Sequence, residues 1–313
     1  MNFTSGQANS TKVSSQLSMN LEVLRISVFI PTFLCFFFFL YFIAVMLSIF
    51  FRSPSARESA RYVLFAHMLI NDTMYLALGI FLFVFYFYPV TFPVPFCYLL
   101  VIMSSTTLKV TPFNLAAMSL ERYIAICYPL RHGEFCTVHR CGIAILVMWT
   151  TVLIPHIVDV IILIFSVETS YFLLYLKCGR INLGFTPAQE IIRVFSNAFT
   201  FSLAGLIIIF TYAKIMMVAM KINSGKASAS KAGKTIILHA FQLLLCMTSL
   251  TYRIVEMQFL DNIILLAVIN FCFFMCLPRL ISPLIYGIRD ELFSSNMKKH
   301  FLCNWLKMSF KVS

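Results

Sequence analysis

Seven long apolar runs separated by short polar stretches set the pattern of this chain: roughly Ile26–Phe51, Tyr62–Phe87, Tyr98–Ile126, Gly142–Phe165, Val194–Val218, Thr235–Phe259 and Ile263–Ile288. Each is about 20 or more residues, enough to cross roughly 30 Å of hydrocarbon as an α-helix. Before them, residues 1–24 are polar and rich in Ser, Asn and Thr. After them, Phe293, Met297, Phe301 and Trp305 recur every fourth residue while Lys298 and Lys299 face elsewhere, the pattern of a helix lying on a membrane surface. The predicted fold class is an all-α membrane protein: a seven-transmembrane helix bundle over 25–288, a short amphipathic eighth helix and tail over 289–313, and an extracellular N-terminus over 1–24. The longest outer connection is expected at Ser166–Glu190, and a basic linker at Ser224–Lys234.

Composition sharpens this. Sixty per cent of the 313 residues are hydrophobic, only 12% are charged, and mean hydropathy is +0.89. A water-soluble domain of 35.9 kDa cannot bury that much apolar surface in one core, which excludes a soluble enzyme, a nucleic-acid module and a disordered scaffold. Thirty-four Phe residues argue against a water-filled barrel, whose strands alternate with polar lumen positions.

The net charge of +12 is explained by where it lies. With the N-terminus outside, 16 of the 24 Lys and Arg fall on the inner side, among them Arg52, Arg57, Arg61, Arg122, Arg131, Arg140 and Lys214. Lys12, Arg25, Lys177, Arg180 and Arg193 fall outside, and Lys109, Arg253 and Arg279 lie within spans. This asymmetry orients the bundle and marks no nucleic-acid surface. Eight cysteines (Cys35, Cys127, Cys136, Cys141, Cys246, Cys272, Cys276, Cys303) are placed in the membrane or on its inner side, and Cys97 and Cys178 outside. No Cys/His spacing suits a metal, so neither metal nor cofactor is expected. Residues 1–24 lack a cleavable signal, so the first span is expected to act as the insertion signal. Sequons stand at Asn9, at Asn2 near the end, and at Asn71 inside a span, where the motif means nothing. Cys303 is either a palmitoylation site or a free thiol.

Glu121-Arg122-Tyr123 closes the third span and runs into Ile124-Ala125-Ile126-Cys127-Tyr128-Pro129-Leu130-Arg131-His132. Together these resemble the signature of rhodopsin-like G-protein-coupled receptors, in the odorant-receptor branch. Ala60-Arg61-Tyr62 through Leu69-Ile70-Asn71-Asp72, Lys234 through Met247, and Leu277 through Gly287 resemble the fish-type odorant receptors. The resemblance spans about Arg57 to Leu302.

The resemblance implies a disulfide between Cys97 and Cys178 that holds the second outer loop over the bundle. It implies that Arg122 contacts the G protein, with Glu121 restraining it and Tyr123 completing the motif, while Tyr212, His239 and Tyr286 reorganise around it. By the same analogy a ligand pocket is lined by Ser105, Leu108, Lys109, Asn197, Thr200, Phe201, Leu250, Thr251, Arg253, Ile254, Cys272 and Met275. Met247 stands where many relatives carry an aromatic side chain, which removes an aromatic-rotamer switch from the expectation.

Charges inside a bilayer are costly, about 2.5–3.5 kcal/mol each on insertion scales, so they need partners or a purpose. Asp72 resembles the carboxylate that binds sodium in many rhodopsin-like receptors, but Ser282 replaces the usual asparagine in the seventh span. The expectation is that Arg279 pairs with Asp72 and replaces the ion, with Thr111 and Ser282 completing a buried polar core; alternatively Arg279 packs elsewhere among waters. Lys109, near mid-membrane, either anchors an acidic ligand or pairs with Asp159 or backbone carbonyls. Arg253 either shares that role, snorkels outward or pairs with Glu256.

The expected function is that of an odorant receptor, not an enzyme: a small odorant, acidic if Lys109 anchors it, binds within the bundle and a stimulatory heterotrimeric G protein is activated inside, raising cyclic AMP. The expected location is the plasma membrane of olfactory cilia. A non-olfactory chemoreceptor and a membrane transporter are the alternatives; the missing internal repeat speaks against the second.

Overall fold

The computed structural model describes residues 4–88, 90–178, 183, 184 and 186–221, and then only positions 237, 240, 241, 243, 244, 273, 275–277, 279, 280 and 295. Within these, side chains are described from residue 26 onward, residues 27, 28, 86, 87 and 219–221 excepted. The eighth helix and most of the sixth and seventh predicted spans lie outside the described residues.

Among the described residues five helices are long and apolar enough to cross a membrane: Phe29–Arg52, Ala60–Phe85, Val94–Cys127, Val138–Ser166 and Pro187–Val218. The first belongs to α1 (Thr4–Arg52), which is helical well before the apolar boundary, so the polar stretch predicted to precede the bundle continues its first helix. Polarity sets where lipid ends, not where a helix must. A break at Ser53, with Pro54 opening the one-turn α2 (Pro54–Arg57), separates α1 from α3 (Ala60–Phe87). α4 (Val94–Cys127) is central, packing against α3, α6 (Val138–Ser166) and α7 (Pro187–Lys221). Between α4 and α6 runs a 3-10 turn, Pro129–Arg131, followed by the four-residue α5, His132–Phe135.

One core joins α1, α3, α4, α6 and α7 through residues such as Phe39, Met46, Phe65, Leu76, Val110, Leu115, Ala204 and Ile208. Outward faces stay apolar and uncovered: Leu34, Phe37, Leu146, Ile154, Phe195 and Ile209 are all exposed. In water such stripes would aggregate; against lipid they are at home.

Two features differ from the helical expectation. Thr91–Pro93 (β1) and Tyr175–Lys177 (β2) form an antiparallel pair, with Phe92 opposite Leu176, so among the described residues one short β-ribbon interrupts the helices. The outer connection also ends earlier than predicted, because α7 starts at Pro187 rather than Val194. Thr186 N–H donates to Gln189 Oε1 at 3.0 Å and Gln189 N–H donates to Thr186 Oγ1 at 3.3 Å, a reciprocal cap that starts the helix among polar residues. Gly184, with φ of 54°, supplies the left-handed turn just before it.

Candidate functional site

At the β-ribbon end, Cys97 and Cys178 are joined by a disulfide, with Cα atoms 5.3 Å apart. Tyr171 donates its hydroxyl to Leu183 O at 2.6 Å, closing the loop on itself. One residue past Cys97, Tyr98 Oη donates to Asp159 Oδ2 at 2.8 Å. Arg193 Nη2 reaches the same oxygen at 2.6 Å, and Gln189 Nε2 donates to Tyr98 Oη and to Asp159 O. The longer α7 thus turns Gln189 and Arg193 into the bundle, and Arg193, counted above as an outer charge, is buried. The four side chains tie α4, α6 and α7 together. Sequence reading missed Tyr98, Gln189 and Arg193; the signal was there in the helical phase of Gln189, Arg193, Ser196 and Thr200.

Deeper in the bundle, Lys109 Nζ donates to Ser196 Oγ at 2.9 Å, and both residues are buried. The pairing of Lys109 with Asp159 held open above is replaced: Asp159 takes Arg193. Thr200 and Phe201 are buried on α7 and Asn197 is half-buried; Ser105 and Leu108 are half-buried on α4. Met275 is half-buried against the core, while Leu250, Thr251, Arg253, Ile254 and Cys272 lie outside the described residues.

On the next turns of α4, Thr111 Oγ1 donates to Asp72 Oδ1 at 3.2 Å, and Asn71 Nδ2 donates to Thr107 O and Thr111 Oγ1, each at 3.0 Å. Arg279 Nε lies 3.7 Å from Asp72 Oδ1, both side chains fully buried, and its guanidinium carbon sits 3.9 Å above the Tyr75 ring. The structure therefore brings Asp72, Thr111 and Arg279 together and adds Asn71 and Tyr75; Ser282 lies outside the described residues. Beside Asp72 stands a guanidinium, a poor neighbour for a bound cation. Among the described residues no group of three or more His, Cys, Asp or Glu could hold a metal ion.

At the far end of α4, Glu121 Oε1 is 3.1 Å from His132 Nε2, and Oε2 is 3.7 Å from Arg122 Nε. His132 was not singled out by sequence reading. Tyr123 packs edge-on against Phe210 and Tyr128, and Tyr212 is half-buried. Close by, burial pushes the Cys136 thiol up, the Glu121 carboxylate adds to the shift and Arg140 opposes it. Leu130, between, is 97% exposed. His239 and Tyr286 lie outside the described residues, as does Asn2; Asn9 falls within the backbone of α1. A tie midway completes the frame: Trp149 Nε1 donates to His67 Nε2 at 2.9 Å, joining α6 to α3.

Comparison with known proteins adds to the geometry. The family described as "7 transmembrane receptor (rhodopsin family)" matches residues 43–286. The chain is 28% identical to "Odorant receptor 131-2" of Danio rerio over 84% of this chain and 82% of that protein. It is 24% identical to "Olfactory receptor 4M1" of Mus musculus over 60% of this chain and 61% of the relative. To "Olfactory receptor 51D1" of Homo sapiens it is 25% identical over 56% of each.

Proposed function

The chain belongs to the rhodopsin family of seven-transmembrane receptors, and on that premise we propose that it is an odorant receptor of the plasma membrane, acting in olfactory cilia. The observation that carries this reading is the similarity to an odorant receptor along 84% of the chain. The family is one of multi-pass membrane receptors, not of enzymes, and the transporter alternative falls with that membership.

The proposed ligand is a small, acidic odorant seated between α4 and α7, with Ser105, Leu108, Lys109, Asn197, Thr200 and Phe201 on those helices. Leu250, Thr251, Arg253, Ile254, Cys272 and Met275 would complete the pocket. An ammonium buried beside a hydroxyl is a ready donor for a carboxylate or sulfate. Above it the disulfide and the Asp159–Arg193 cluster hold the helix ends in place. The partner is a stimulatory heterotrimeric G protein at the Glu121–Arg122–Tyr123 end, where Leu130 is exposed for contact. Ligand at one end biases the other only if it binds the two conformations with different affinity.

Expression in cultured cells with a cyclic AMP reporter, challenged with acidic, basic and neutral water-borne odorants, tests the reading. Responses concentrated among acids, and abolished by Arg122→Ala with surface expression kept, are expected. Silence toward every odorant class from a receptor that reaches the surface would count against it.

A further inference from the structure

We propose that His132 is a positioning residue for Arg122: it competes for the Glu121 carboxylate, and its protonation loosens the arginine. This rests on the coupling role proposed above for Arg122. Glu121 is nearly covered, with its side chain 7% exposed; it faces His132 and Arg122, and Arg61 of α3 is a third cation acting on it. The imidazole, 3.1 Å away, is at hydrogen-bond distance; the arginine, at 3.7 Å, is beyond it. Backbone geometry explains the order. Adjacent residues on a helix do not face each other, so Arg122 reaches Glu121 only sideways. The 3-10 turn Pro129–Arg131 instead folds the chain back and delivers His132 to the carboxylate.

An imidazole changes charge between about pH 5 and 8. When charged, His132 cancels much of the pull that Glu121 exerts on Arg122, and the two cations also repel each other. When neutral, it leaves the carboxylate's charge to act on the arginine. Acidification of the inner compartment therefore frees Arg122, and a rise in pH restrains it. The charged and titratable neighbours are few among the described residues. Arg131, Glu134 and Cys136 stand on or beside its own turn. Glu121 and Arg122 come from α4, Arg61 of α3 acts on Glu121, and Arg140 and Cys141 come from α6. The arginines stay charged throughout this window. His132 is 35% exposed, so protons reach it from water.

The test uses the full-length receptor in lipid nanodiscs with purified stimulatory G protein, following agonist-free nucleotide exchange from pH 6.0 to 7.5. His132→Gln and His132→Tyr retain a hydrogen-bond donor without its charge, and each rate is taken relative to His132→Gln at the same pH. The wild-type ratio is expected to be about threefold higher at pH 6.0 than at 7.5, while His132→Tyr stays flat. If agonist stimulates exchange but all three receptors share one pH slope, the competition is wrong and the coupling role stands. If no receptor stimulates exchange at any pH, the coupling role falls. A G-protein-independent readout decides the competition in either case. The labelled Arg122 Nε–H resonance should move between pH 6.0 and 7.5 in wild type and stay fixed in His132→Gln; equal movement in both overturns the proposal.

Discussion

Arg193 on α7 holds Asp159 on α6 at 2.6 Å, both side chains buried, with the Tyr98 hydroxyl donating to the same carboxylate oxygen from α4. Removing Arg193 strands the buried Asp159 carboxylate, which costs about 3–5 kcal/mol, and removing Asp159 leaves Arg193 to the more exposed Glu190, 3.8 Å away. Arg193→Met or Asp159→Leu should therefore lower the unfolding temperature of detergent-solubilised receptor strongly. The double variant should recover most of the loss, because no stranded charge remains. Losses that simply add would show that the two residues do not act as a pair.

The Cys97–Cys178 disulfide pins β2 and the loop around it to the start of α4. Cys97→Ser should cost about 2–4 kcal/mol of stability. Cys178→Ser should cost the same, and both together no more. Thermal unfolding with and without reductant checks this; a wild-type transition untouched by full reduction would contradict it.

If Lys109 anchors an acidic odorant, Lys109→Met should raise the half-maximal concentration of acidic agonists at least tenfold and leave neutral agonists within about threefold, since a charge-assisted hydrogen bond contributes about 1.5–3 kcal/mol. Ser196→Ala, which removes the hydroxyl that fixes the amine, should have a smaller effect of the same selectivity. Equal losses for acids and neutrals in dose–response curves would rule the anchor out.

With the Arg279 guanidinium 3.7 Å from Asp72, the carboxylate already has a cationic neighbour that opposes sodium binding. Agonist affinity should be the same in sodium and in N-methylglucamine at constant ionic strength. Arg279→Gln should make affinity respond to sodium. An ion effect in wild type comparable to that in the variant would refute the replacement.

Burial and the Glu121 carboxylate hold the Cys136 thiol above its ordinary value, so little thiolate exists at pH 7. Alkylation by a water-soluble maleimide should be slower than for a free thiol in solution and should still climb steeply between pH 8 and 9. Glu121→Gln removes the nearby negative charge and should speed the reaction at pH 8. A rate equal to that of free cysteine at pH 7 would oppose this.

Much of the bundle was legible because lipid enforces a simple rule: a crossing segment must be long, apolar and helical. The first five predicted spans lie on the long helices of the structure, with differences at their ends. Those differences have one cause. Hydropathy stops at Arg193 and Glu190 because they are charged, but a charge whose partner waits inside the bundle does not end a helix. The partner, Asp159, comes from another helix, and nothing in a linear reading pairs the two. Lys109 shows the same limit, since sequence supplied Asp159 as a candidate and three-dimensional packing gave it Ser196. His132 went unread for a different reason: an exposed loop histidine looks ordinary until a turn brings it under a carboxylate.

The placement of Asp72 and Arg279 also bears on how the molecule is made. The acid enters the translocon with the second span, and its cation follows roughly two hundred residues later. Until then the nascent chain holds an acid in hydrocarbon with only Thr111 and its neighbours to solvate it. Biogenesis thereby couples the second span to a residue made far later, since the acid meets the cation seen beside it only once Arg279 has been synthesised.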